Sequence, residues 1–354
     1  MNISEQLAIQ KMLSSIDMYR ASVLHLSVGN PPMMRIGEKL LPVPEQNILT
    51  PDVMKNIVNA WLDEKDHARL EQEKEIIIAK TFENKKRFKI SIFYQQGFLS
   101  ASLLLIPSIA PALNELGLPP VAQRLVQTPS GLVLVIGPSG SRRSTTVASF
   151  IEYLNQNEQK HIMTIEEPVE ILFGDNRSVI EQREVGKDVN TVEEGLAFAA
   201  HEDIDVVMIS RLSSAKELHH TLALANSGKL VFAILSANSI VSALHSIIYS
   251  FEGIDQAQVR SDLATSLAAI INQRCLTTVG GDTTIIAEVM IPNETVRTIM
   301  QKGNIVQIDT ALLSSHGEDG TTQSLDTQLQ QAVANGYINR EEAIRSAVNP
   351  YLFH

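Results

Sequence analysis

The chain has 354 residues, carries 29 basic and 40 acidic side chains for a formal net charge of -11, and is 44% hydrophobic. That apolar share supplies globular cores and excludes a mainly disordered chain. The negative balance disfavours non-specific nucleic-acid binding, so no nucleic-acid partner is expected. One cysteine, Cys275, excludes an intrachain disulfide framework and a cysteine-rich zinc site.

The opening MNISEQLAIQKML lacks a basic segment followed by an apolar run and does not read as a secretory leader. The longest apolar stretches, such as 98–112, are too short or too interrupted by proline to cross a bilayer. The expected compartment is the cytoplasm, with docking at the inner face of the cytoplasmic membrane left open. A helix is predicted near 4–15, a strand over 22–28 and a turn at Gly29 to Pro32. Residues 51–66 read as one helix with proline near its start, and 89–94 and 98–106 as strands. This is an α+β pattern, taken as a domain over 1–112. Prolines 107, 111, 119 and 120 mark a linker, set at 113–122, with a short helix over 111–116.

From 123 to 354 the chain alternates strand and helix. Strands are predicted at 131–136, 161–165, 205–209 and 230–235, and helices at 144–155, 192–201 and 215–226. In the next helix Ile240, Ala243, Leu244, Ile247, Ile248 and Phe251 form one apolar stripe. A largely parallel sheet covered on both faces satisfies this order. From about 255 the chain reads as mostly helical, with Cys275 near a helix end and one β excursion at 284–290. A polar loop is predicted over 314–322. Leu325, Leu329 and Val333 then share a helical face, and Asn339 opens a last short helix.

The segment Gly137-Pro-Ser-Gly-Ser-Arg-Arg-Ser-Thr145 lies between a predicted strand and a predicted helix. A Walker A loop, G-x-x-x-x-G-K-[ST], occupies that context and cradles phosphate with backbone N–H groups and a helix N-terminus. The candidate phosphate-binding residues are Gly137, Ser139, Gly140, Ser141, Arg142, Arg143, Ser144 and Thr145. Arg142 stands at the glycine position, where a side chain obstructs close backbone approach. Arg143 stands at the lysine position and keeps the charge but replaces a point donor with a planar fork. Two readings follow: a phosphate-binding loop, or a turn that keeps the scaffold without useful affinity. Ser144 is a candidate Mg²⁺ ligand. Glu166 and Glu167, ending the next strand, either order Mg²⁺-bound water or balance Arg142 and Arg143. Where a hydrolytic ATPase commonly carries a water-orienting carboxylate, this chain has Ser210-Arg211. The segment Glu181 to Gly186 is polar and reads as a loop beside the nucleotide or a subunit contact, or equally as a solvated mixed-charge loop.

Ordered segments carry a family resemblance: Ala21–Ser27, Arg87–Ile90, Gly131–Gly137, Thr164–Glu170, Gln182–Gly186, Ser227–Ala233 and Gln323–Asp326. Across nearly its whole length the chain resembles the PilT/PilU family of type IV pilus retraction ATPases, within the secretion ATPase superfamily. The resemblance implies an α/β chain with an N-terminal PAS-like α+β domain and a RecA-like P-loop NTPase domain with a helical C-terminal extension. It implies ATP and Mg²⁺ as cofactors, hexameric rings beneath an inner-membrane pilus platform protein, and an acidic box containing Glu166, Glu167 and Glu170.

The departures from that family concern phosphate chemistry. GPTGSGKST becomes GPSGSRRST, with Arg142-Arg143 for Gly-Lys. The Walker B ending GE becomes Ser210-Arg211, so Arg211 stands at the catalytic glutamate. The histidine of TLH[TA] becomes Ser236. In the first domain Gln95-Gln96 and Leu104 stand where the family carries arginines. The resemblance therefore implies a catalytically degenerate retraction-ATPase paralogue with little autonomous hydrolysis. It would act as motor subunit, regulator or adaptor in twitching motility, as a homo-hexamer or with an active retraction ATPase. The alternatives are an unconventional ATP-hydrolysing motor using Glu166 or Glu167, and a nucleotide-free adaptor.

Overall fold

The computed structural model describes residues 3–19, 21–37, 39–253, 255–314 and 324–353. By internal contacts the chain forms two units: Met1–Ile109 with Glu167–Leu172, and Ala110–Glu166 with Phe173–His354.

The first unit contains α1 (Ile3–Met18), β1 (Val23–Ser27), β2 (Met33–Ile36), β3 (Lys39–Pro42), α2 (Pro51–Trp61), α3 (Glu64–Glu73), β4 (Glu75–Thr81), β5 (Arg87–Gln95) and β6 (Phe98–Ile106). Its six strands form an antiparallel sheet in the order β3-β2-β1-β6-β5-β4. Alternation along β5 turns Phe88, Ile90 and Ile92 into the core with no exposure. The single helix expected over 51–66 is two. Met54, Ile57, Val58 and Trp61 bury one face of α2, which stops at Leu62, and the Asp63 carboxylate then accepts from Asp66 N at 2.8 Å to start α3. A capping side chain inside the expected span competes with continuation of the helix.

The second unit begins with a single 3₁₀ turn, Leu113–Glu115, within the short helix expected over 111–116. It continues with α4 (Val121–Val126), β7 (Gly131–Gly137), α5 (Arg143–Asn157), β8 (His161–Glu166), β9 (Val179–Glu184), α6 (Val192–Ala199), β10 (Val206–Ile209), α7 (Ala215–Asn226), β11 (Leu230–Ser236), α8 (Ile240–Tyr249), α9 (Asp255–Ser266), β12 (Leu267–Thr277), β13 (Thr283–Met290), α10 (Glu294–Lys302), α11 (Gln307–Ser314), α12 (Leu325–Ala334) and α13 (Arg340–Ser346). The sheet order is β13-β12-β7-β11-β10-β8-β9. All neighbours are parallel except β12 and β13. One apolar core lies against each face of this sheet.

Two sequence expectations fail here. The region after 255 holds a strand the sequence reading lacks: β12 is an eleven-residue strand paired with β7, and Cys275 lies on it rather than near a helix end. Its run Leu267-Ala-Ala-Ile-Ile271 is covered on both faces, so it lacks the period-2 alternation that marks a half-exposed strand and reads as a continuation of α9. The segment at 181–184 is not a loop but part of β9, a sheet-edge strand paired with β8. Its mixed charges stand at the edge and hide the strand pattern. The remainder of the expected polar loop, 315–322, and Gln323 lie outside the described residues, while Ser314 ends α11. Among the described residues no helix is long and apolar enough to cross a membrane.

Candidate nucleotide-binding site

β7 is buried along its whole length between β12 and β11, and delivers residues 137–142 at its C-terminal end. α5 then packs back on the sheet, with Phe150 and Phe232 ring centroids 5.3 Å apart. Gly137 has φ 152°, and a methyl group built there would lie 2.5 Å from the Gln273 carbonyl oxygen and 2.6 Å from Ser141 Oγ. Only glycine fits. Gly140, at φ 82°, faces open space. Ser139 is exposed, whereas Ser141 is buried and its carbonyl accepts from Gln273 Nε2 at 2.6 Å. The Ser141 and Thr146 hydroxyls and Gln273 Oε1 are buried without a hydrogen-bond partner.

Arg142 sits at the N-cap of α5 with φ 61° and ψ 31°, the left-handed conformation that glycine adopts freely. It supplies no side-chain cap, so the N-terminus of a fifteen-residue helix keeps its N–H groups for another acceptor. Such an end, beside a glycine-bearing turn, favours an anion.

Arg143 is tied to the strand next to β7, whose last residue, Ser236, pairs with Gly137. Its Nη1 donates to the Leu235 carbonyl at 2.8 Å and to Ser236 Oγ at 2.9 Å, at the tip of β11. Burial pulls the guanidinium below its ordinary range, yet arginine remains charged at any physiological pH. Ser144 and Thr145 lie half-buried in the first turn of α5, and Arg142 is exposed.

The two candidate glutamates part. Glu166 is buried at the end of β8, where its Oε1 accepts from Thr164 Oγ1 at 2.7 Å and Gln182 Nε2 at 3.0 Å. Glu167 groups with the first unit and lies 3.5 Å from the Arg69 guanidinium; Glu170 there pairs with Lys89 at 2.8 Å. Arg211 is exposed just past β10, and Leu104 lies on β6 of the first unit with 43% exposure. Of the positions expected from the sequence to be altered, Arg143 and Ser236 touch. Sequence reading overlooked Gln273, whose only trace is the polar run Asn272-Gln273-Arg274 inside an apolar strand. It also overlooked Gln182 as a partner of Glu166. Among the described residues no group of three or more His, Cys, Asp or Glu side chains is placed to hold a metal ion.

A buried parallel strand, a glycine-bearing turn and the open N-terminus of a long helix define the P-loop class of nucleotide-binding proteins. Residues 110–284 match the model of the type II/IV secretion system protein family. The chain is 32% identical to the type IV pilus retraction ATPase PilT of Pseudomonas aeruginosa, over 94% of this chain and 96% of that one. It is 30% identical to the type IV pilus ATPase PilU of the same organism, over 96% and 88%. The crystal structure of the pilus retraction motor PilT with bound ADP superposes with a TM-score of 0.83 at 30% identity, covering 97% of each chain. The chain belongs to the family of PilT, PilU and the related secretion ATPases.

Proposed function

We propose that this protein is a nucleotide-binding subunit of a type IV pilus retraction apparatus that does not hydrolyse ATP efficiently by itself. One observation carries the reading: Arg143, at the Walker lysine position, is held by Leu235 O and Ser236 Oγ at the tip of β11.

The phosphate end of the site fits a nucleotide. Gly137, Gly140 and the uncapped start of α5 form the cradle, and Ser144 and Thr145 stand in its first turn. When bound, Mg²⁺ would neutralise phosphate charge, with Ser144 as its protein ligand. The hydrolytic end does not fit. Arg211 cannot accept a proton from water, and Glu166 is committed to Thr164 and Gln182. Binding without turnover lets such a subunit report nucleotide or occupy a place beside an active motor.

In this reading the first unit is PAS-like and the second RecA-like, divided by a linker at 113–122. The chain assembles as a hexamer or with an active retraction ATPase, at an inner-membrane platform protein on the cytoplasmic side. Family membership over nearly the whole chain supports that placement. The test is Mg²⁺-dependent phosphate release by the purified chain, alongside titration with a fluorescent ADP analogue. Saturable binding with release at background is expected. Robust release abolished by Arg143→Ala overturns the assignment.

A further inference from the structure

We propose that β12 is a relay through which the phosphate loop and the C-terminal helices α12 and α13 sense one another, with Gln273 and Arg274 as its positioning residues. The inference rests on the nucleotide reading for its ligand, but its mechanical part stands on contacts within the second unit alone.

Gln273 is fully buried and holds the loop through Ser141 O at 2.6 Å. The loop has little slack against it, because the Gln273 carbonyl fills the space where any side chain at residue 137 would go. Arg274, the next residue, is 5% exposed. Its Nε donates to Ser346 O at 2.9 Å, at the end of α13. Its Nη2 donates to Asn238 O at 2.7 Å, two residues past Ser236. Nη1 donates to Asn272 Oδ1 and Gln273 O, each at 3.0 Å. Adjacent strand residues face opposite sides of a sheet, so this pair grips the loop on one side and the C-terminal helices on the other.

Those helices depend on the strand. Leu325 and Leu329 of α12 and Ala343 of α13 form a separate small core with Leu276 of β12. Asp326 closes the attachment by accepting from Val348 N at 2.8 Å and Asn349 N at 2.9 Å. At the loop, the Ser141 hydroxyl and Gln273 Oε1 are a buried donor and acceptor that miss each other. A second loop arrangement that joins them is chemically available, and a phosphate that prefers one arrangement biases the pair. Binding linkage is reciprocal, so loosening the helices must alter the loop.

The test is hydrogen-exchange mass spectrometry on the full chain, unaltered and as Arg274→Met, with and without Mg-ADP. Arg274 touches no part of the phosphate cradle. Without nucleotide, Arg274→Met is expected to speed exchange at 138–146 about fivefold, with a smaller change in the more distant strands β8 and β10. With Mg-ADP, the unaltered chain is expected to gain protection at 138–146 and at 340–353. The variant is expected to keep the first gain and lose the second. Unchanged loop exchange in the nucleotide-free variant overturns the relay, as does protection of the loop without any change at 340–353 in the unaltered chain. An unaltered chain whose loop gains no protection from Mg-ADP counts against the nucleotide reading alone, and the nucleotide-free comparison still decides the relay. Should Arg274→Met fail to fold, Arg274→Lys, which keeps the charge and loses the fork, is read by the same outcomes.

Discussion

Arg143 Nη1 donates to Ser236 Oγ at 2.9 Å, so two positions that the sequence reading marks as departures from the family's motifs are in direct contact. A histidine at 236 would put a ring in place of a small hydroxyl acceptor, and both bonds to β11 are made by the single nitrogen Nη1 at the end of the long arginine side chain. The two changes form one local arrangement that draws the cation to β11.

Freeing that cation is expected to strengthen nucleotide binding. Arg142→Gly with Arg143→Lys restores backbone approach and a mobile point charge, and a gained charge-assisted hydrogen bond corresponds to about tenfold in affinity. Fluorescent ADP titration measures it. Phosphate release stays at background in this double variant and rises only when Arg211→Glu is added. Unchanged affinity would show that Arg143 is not what limits the site.

Gly137→Ala tests the loop's dependence on close packing. The new methyl meets a backbone oxygen at 2.5 Å, at a φ of 152° that side-chain-bearing residues rarely adopt. A loss of about 2–4 kcal/mol is expected in urea unfolding. Gly140→Ala meets nothing within 4 Å and carries only the positive-φ strain, so it should cost about 1 kcal/mol. Equal costs at the two glycines would contradict the packing argument.

Cys275 supplies a pH prediction. Burial raises its thiol above the ordinary range. Folding therefore favours the protonated form. The associated stability is fully present below the unfolded thiol pKa and is lost as pH rises through the higher folded value. Alkylation by iodoacetamide should be at least about tenfold slower in native protein than in urea-unfolded protein near pH 8. Equal rates would place the thiol in solvent.

Ser214 caps α7 in a reciprocal arrangement: its Oγ accepts from Glu217 N at 3.2 Å, while Glu217 Oε2 accepts from Ser214 N at 3.2 Å. Ser214→Ala should cost about 1 kcal/mol without changing nucleotide affinity, as read by thermal melts and the same ADP titration. A larger change in affinity than in stability would tie this cap to the site.

Local sequence determined the elements whose evidence lies within a few turns of chain. Residues 98–106 and 215–226 read as strand and helix and fold as such, and Ile240, Ala243, Leu244, Ile247 and Ile248 bury the stripe their spacing predicts. The β7–loop–α5 order was likewise legible, because glycines, polar residues and the change of apolar period follow one another directly. Tertiary structure decided what depends on distant partners. β12 is a strand because β7, more than a hundred residues earlier, supplies its hydrogen bonds and its apolar cover. Glu166 and Glu167 are neighbours in sequence yet belong to different units, and Arg143 finds its acceptors at β11. Hydrophobic period travels with the local chain, whereas burial on both faces and the pairing of a polar group are set by whichever segment folding brings alongside.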